Sequence, residues 1–184
     1  TEQLEWEDAG FAYKSWRAVL TDKGVLVFQF ELGRGGIRGF SAADPLAPMI
    51  GINSAYKPEV RIYSLFHELG HLVLGEGAAC LAFVDPSGGT AAPAAERWCE
   101  QFAAAVLMPR SAFEQISREV GLVSTTPDDQ AFELLRRIAR RFKVSLRAAA
   151  IRAEEVGVRR NLTMLVQART SDALDFPRPS TSGG

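Results

Sequence analysis

The sequence predicts an α+β fold: a small antiparallel sheet packed on a helical core, followed by a C-terminal helix-turn-helix-like unit. Three observations carry that expectation. Short β-prone runs at Val25–Phe30, Ile37–Phe40 and Pro48–Asn53 cluster early, separated by Gly33-Arg-Gly-Gly36 and the Asp44-Pro45 break. From Val60 onward apolar residues recur instead at helical intervals. Two late helical stretches are joined by a short turn.

The chain has 184 residues, 47% hydrophobic and 23% charged, which is about one domain's length with side chains enough for a core. Nowhere do about 18 apolar residues run without a charge, and the N-terminal stretch lacks the basic-then-apolar layout of a signal peptide. Membrane insertion and secretion are therefore not expected. With only Cys80 and Cys99, a disulfide framework and a four-cysteine zinc site are excluded by count, and a reducing cytoplasm fits.

Leu4, Phe11, Trp16 and Leu20 give Glu2–Leu20 a loosely helical period, closed by Asp22-Lys-Gly24. The three β-prone runs then form the sheet. Ile62, Leu65, Phe66, Leu69, Leu72 and Val73 make Val60–Leu74 a largely buried helix with Gly75 as its C-cap. Ala78–Val84 reads as a further strand and Asp85–Thr90 as a loop. Trp98, Phe102, Ala105 and Val106 place a helix over Ala94–Met108, stopped by Pro109, and Ser111 is positioned to cap the next, to Val120. Thr126 and Pro127 read as the cap and first turn of a helix running to Phe142, and Lys143-Val-Ser145 breaks and recaps into Leu146–Val156. After Asn161 the pattern fades. The expected organisation is thus 1–121, then a helical unit over 122–161, then a flexible tail over 162–184.

Both histidines of the chain lie in His67-Glu-Leu-Gly-His71, on the buried helix. Four residues is about one turn, so both imidazoles leave one face and can hold one metal ion between them. Unpaired polar groups on a buried helix cost a few kcal/mol each, and zinc would satisfy them. A catalytic zinc takes three protein ligands and keeps a fourth position open. No third histidine exists, so the third ligand is a carboxylate or a thiolate from Glu76, Asp85, Glu96, Glu100, Cys80 or Cys99. Glu96 and Glu100 lie on a helix able to pack across the first, which makes that helix the better source. Glu68 is the only acid-base group the motif fixes, because ligating histidines have no lone pair to spare.

Arg61-Ile-Tyr-Ser-Leu-Phe-His-Glu-Leu-Gly-His-Leu72, followed by Glu96-Arg-Trp-Cys-Glu-Gln-Phe-Ala-Ala-Ala-Val-Leu-Met-Pro109, resembles the ImmA/IrrE family of zinc metallopeptidases. The likeness extends to Gly24–Phe28, Gly39-Phe-Ser41, Pro48–Asn53 and Ile138–Ser145, most of residues 12 to 158. It implies a zincin-like core, zinc held by His67, His71 and Glu96, Glu68 as the catalytic base, and a helix-turn-helix transcriptional repressor as the protein cleaved, in stress or mobile-element control; the sequence leaves manganese open as the alternative ion. Where the family has Asn or Asp this chain has Glu100, a partner for a ligand or a competing ligand. The reading is a cytoplasmic zinc endopeptidase. Its rival is a zinc-stabilised protein- or DNA-binding regulatory module, of the toxin-antitoxin or transcription-regulator kind, that does not cut.

Between Arg136 and Arg160 stand nine cations against two acids, so the rest of the chain is acidic. Arg136, Arg137, Arg140, Arg141 and Lys143 are the candidate partner-binding residues, for an acidic protein surface or, less favoured because no aromatics interleave, for DNA phosphates. A substrate peptide is expected to add to a sheet edge at Ile37–Phe40 or Pro48–Asn53, with Gly35, Gly36 and Gly39 either admitting its backbone or serving a tight turn.

Overall fold

The computed structural model describes residues 2–33, 37–75 and 93–170. The expected strand Ala78–Val84, the loop Asp85–Thr90, Gly35, Gly36 and residues 171–184 lie outside these. Within them a 3-10 turn at Glu2–Leu4 precedes helix α1 (Ala9–Asp22), which starts later than the periodicity suggested because Asp8 caps it, accepting a hydrogen bond from the Phe11 N–H at 2.8 Å.

The sheet is mixed rather than antiparallel. Strand β3 (Met49–Asn53) lies in the middle, parallel to β1 (Leu26–Phe30) and antiparallel to β2 (Gly39–Ala42). Runs adjacent in sequence usually pair with each other, as in the antiparallel sheet the sequence predicts. Here a buried asparagine decides otherwise. Asn53, fully buried, accepts from the Leu32 and Ala55 N–H groups and donates to the Gly33 and Ile37 carbonyls, so it gathers both ends of the β1–β2 connection at the end of the central strand. Its neighbours Ile50, Gly51 and Ile52 are buried on both faces, as a central strand demands. On the outer face Phe40 lies across Gly51 and stacks on Phe30, ring centres 5.8 Å apart.

Helix α2 (Pro58–Leu74) crosses the inner face. Pro58 supplies a pre-set first turn, two residues before the predicted start at Val60, and Gly75, at φ 66°, is its left-handed C-cap, as expected. Ile62, Leu65 and Phe66 fill the space between α1, the sheet and α3 (Pro93–Leu107), and Trp16 meets Phe66 edge-on at 4.8 Å.

Helix α4 (Arg110–Val120) begins one residue before Ser111, with Pro109 as N-cap, so Ser111 is inside it and does not cap. Thr126 likewise does not cap α5 (Asp128–Phe142); its hydroxyl accepts from the Val123 N–H and donates to the Gly121 carbonyl, tying the preceding turn instead. Asp128 and Asp129 in the first turn oppose the helix dipole in its place. The break and recap at Lys143-Val-Ser145 are present: Ser145 caps α6 (Leu146–Glu155), and Lys143 ends α5 in the left-handed conformation.

The stretch read as a flexible tail from residue 162 opens instead with α7 (Leu162–Arg169), whose Leu162 and Val166 are buried against the α5–α6 pair. Two apolar residues one turn apart in an eight-residue helix are too few to show a period. One apolar cluster runs unbroken from Ala12 to Val166.

Candidate metal centre

Helix geometry brings the His67 and His71 Nε2 atoms within 3.2 Å of each other on α2. What completes the site is how closely α3 approaches. Gly70, one residue before His71, faces Cys99: a Cβ at Gly70 would stand 3.0 Å from the Cys99 sulfur and 3.2 Å from its Cα. Any larger residue would push the helices apart. Buried Cys99 is thus a packing contact, and one turn before it on α3 Glu96 reaches back to both histidines, Oε2 at 3.2 Å from His67 and Oε1 at 3.4 Å from His71.

The three donor atoms all lie within 4.8 Å of one another, the only such group among the described residues. Two imidazoles and one carboxylate are a donor set that suits zinc and leaves a coordination position over. His71 is 3% exposed and the Glu96 side chain 44%, so the set is closed on the helix side and open on the other. Burial holds the His67 pKa below its ordinary value, against the pull of Glu96, and so favours the neutral ring a metal needs.

Glu100, the other carboxylate considered, is exposed and not part of this group; its backbone carbonyl accepts the Tyr63 hydroxyl at 3.0 Å. Tyr63 therefore ties α2 to α3, and burial raises its pKa further. Glu76, Asp85 and Cys80 lie outside the described residues.

Glu68 follows His67 but points elsewhere, into the gap between α2 and β2. It is 6% exposed. Burial pushes its pKa up to about 7, opposed by a hydrogen bond from Ser41 and reinforced by the charge of Glu96. The Ser41 hydroxyl donates to Glu68 Oε2 at 2.8 Å. Gly39, two residues earlier on the same face of β2, leaves room for the glutamate stem, since its Cβ would stand 3.1 Å from Glu68 Cγ. Gly39 is thus filled from the helix side and does not admit a substrate backbone there. Pro48–Asn53 offers no edge either, because β3 is paired on both sides.

A family model described as the IrrE N-terminal-like domain, of a peptidase family, matches residues 20–154. The chain belongs to that family. Nothing among curated proteins matches it. The IrrE N-terminal-like region takes in the sheet, α2 and α3 entire, and all but the last residue of α6. The family is one of metallopeptidases, which act on proteins. No helix of the described residues is long and apolar enough to cross a membrane.

The basic segment is less free than its charge count suggests. Arg136 pairs with Glu133, Arg141 with Glu119, Arg152 with Glu155 and Arg159 with Asp128. Lys143, 8% exposed, turns inward and donates to the Leu4 and Arg141 carbonyls. Arg137 and Arg140, joined by Arg147, remain exposed without an ion pair among the described residues.

Sequence reasoning gave no role to Ser41, nor to the room made by Gly39 and Gly70. A signal for one of them existed. Glycine inside a helix costs about 1 kcal/mol relative to alanine, so Gly70 asks for a packing reason.

Proposed function

We propose that this chain is a zinc-dependent endopeptidase in which His67, His71 and Glu96 hold the metal and Glu68 is the catalytic base. The observation that carries this reading is the division of labour between two neighbouring carboxylates. Glu96 meets both imidazoles, whereas Glu68 is buried beside them, outside the donor group, with a proton affinity near neutrality. A structural zinc site is normally closed by four protein ligands and has no use for such a base. Zinc, when bound, supplies a Lewis acid for the scissile carbonyl and makes water a better nucleophile near pH 7. Manganese is the alternative ion.

Glu68 accepts a proton from the attacking water as the new C–O bond forms, and returns it to the amide nitrogen as the C–N bond breaks. Family membership supports a helix-turn-helix transcriptional repressor as substrate, in stress or mobile-element regulation, and the low cysteine count fits a cytoplasmic setting. The outer edge of β2, beside Glu68, is the place for an extended substrate to pair. Arg137, Arg140 and Arg147 form the surface for an acidic partner; DNA is the second choice. A module that binds without cutting is the competing reading. Incubating a candidate repressor with the wild type and with Glu68→Gln, with and without zinc, separates them: cleavage lost in the variant while binding persists supports the peptidase, and equal cleavage by both removes Glu68 from the mechanism.

A further inference from the structure

The inner face of β2 is an odd place for a hydroxyl. Ser41 stands opposite Ile50, and Gly39 opposite Ile52, both isoleucines fully buried. A serine 3% exposed among such side chains gains nothing unless its hydroxyl is bonded, and an apolar pair of the same volume would pack at least as well as a buried Ser–Glu pair. The bond it makes is to Glu68 Oε2.

We propose that Ser41 is the positioning residue for Glu68: its hydroxyl holds Oε2, leaves Oε1 to take the proton, and keeps the carboxylate out of the His67–His71–Glu96 ligand set. The inference rests on Glu68 being the base and adds what holds it there. A glutamate beside a divalent cation is itself a good oxygen ligand, so a base one residue from His67 has to be restrained or it competes for the metal. Gly39 makes room for the stem and Ser41 holds the head. The choice of donor matters as well. A lysine or arginine would hold the carboxylate and also fix it in its charged form, whereas a neutral hydroxyl donates to Oε2 both before and after Oε1 is protonated. The base therefore keeps one orientation through proton uptake from water and proton return to the leaving nitrogen.

The test uses the full chain as wild type, Ser41→Ala, Ser41→Thr, Glu68→Gln and the Ser41→Ala/Glu68→Gln double variant. Each is loaded with zinc and assayed on a random fluorescence-quenched peptide library, and separately loaded with Co2+ and read by visible absorption. Ser41→Ala is expected to bind one metal per chain and to lose about 10- to 100-fold in kcat at unchanged KM, with Ser41→Thr recovering most of the loss. The double variant should be no slower than Glu68→Gln. In the Co2+ form, Ser41→Ala should depart from the wild-type spectrum while the double variant matches Glu68→Gln, because the change needs a carboxylate free to reach the metal. Wild-type kcat in Ser41→Ala, a loss carried by KM, or a further loss in the double variant would overturn the proposal. If no library peptide is cleaved, the spectra decide: a Ser41→Ala spectrum identical to wild type overturns it. Glu68→Gln turning over like wild type is a different result, and removes the base assignment itself. Should Ser41→Ala not fold, Ser41→Cys, nearly isosteric and only a weak donor, takes its place.

Discussion

The metal end of the molecule and its basic end treat charge in opposite ways. Where α2, α3 and β2 meet, a few ionisable groups are packed against one another, Glu68 and His71 buried and Glu96 open to solvent. His67, His71 and Glu96 point at a shared centre, and Glu68 sits beside them with no cation to neutralise it. From α5 to the turn after α6 nine cations are spread along the chain, and four of them are matched by a carboxylate: Arg136, Arg141, Arg152 and Arg159. Excess charge in a sequence says little about which charges are available, since exposed pairs form cheaply and are worth about 0–1 kcal/mol each. Ionisable groups left buried without a matching ion have to be accounted for.

The sharpest way to break this contrast is at the ligands. His67→Ala or His71→Ala should abolish metal binding, and Glu96→Ala should lose it while Glu100→Ala keeps it, as read by metal analysis of the purified protein. Metal retained in Glu96→Ala and lost in Glu100→Ala would exchange the roles of the two glutamates. Glu68→Gln should keep the metal and lose about 10²- to 10⁴-fold in turnover, the usual contribution of a general base.

Glu68 also makes a prediction about stability. Its pKa rises from 4.5 to about 7 on folding, so the folded metal-free chain retains a proton that the unfolded chain has released. Stability from this group is complete below about pH 4.5 and is lost as pH rises through about 7. In metal-free protein, Glu68→Gln should therefore be the more stable form at pH 8, by at most about 3 kcal/mol, with the gap closing toward pH 4. Urea denaturation at the two pH values checks it; a gap that widens toward acid would reverse the sign of the assignment.

Gly70→Val should cost about 1–3 kcal/mol and weaken metal binding together, because separating α3 from α2 withdraws Glu96. Loss of stability with metal affinity intact would mean that Glu96 reaches the histidines without the close crossing. The smallest effect is expected at the basic end. Reversing Arg140 and Arg147 to Glu should weaken salt-dependent association with an acidic partner and leave metal content unchanged, whereas Arg141→Glu should mainly disturb the Glu119 pair, by less than about 1 kcal/mol.

The metal helix was legible because one short motif states residue type, spacing and period together, and Gly75 marks where the helix ends. The sheet order was not. It depends on Asn53, whose two acceptor and two donor contacts join residues 16 to 21 positions away as well as a near neighbour, and a lone asparagine after an apolar run looks like any strand end. The choice of Glu96 over Glu100 came from family likeness; residue types alone left both open, since they share one face of α3. Ser41 was invisible for a related reason. A serine in a strand acquires meaning only when a second element, 27 residues on, sets a carboxylate against it. Neither Ser111 nor Thr126 caps a helix, because Pro109 and Pro127 occupy the N-cap positions themselves.

The crossing of α2 and α3 is secured twice, by the Gly70–Cys99 contact and by the Tyr63 hydroxyl on the Glu100 carbonyl, roughly two helical turns apart along α2. Neither fastening involves a donor atom of the metal site. The three donors are thus delivered by packing that does not depend on the ion, unlike a zinc finger, where metal binding and folding are one event. Loss of the ion should leave a folded protein with its donors in place, able to take up metal again without refolding. Chelation and return of the metal should therefore form a reversible cycle of one folded chain rather than of folding and unfolding.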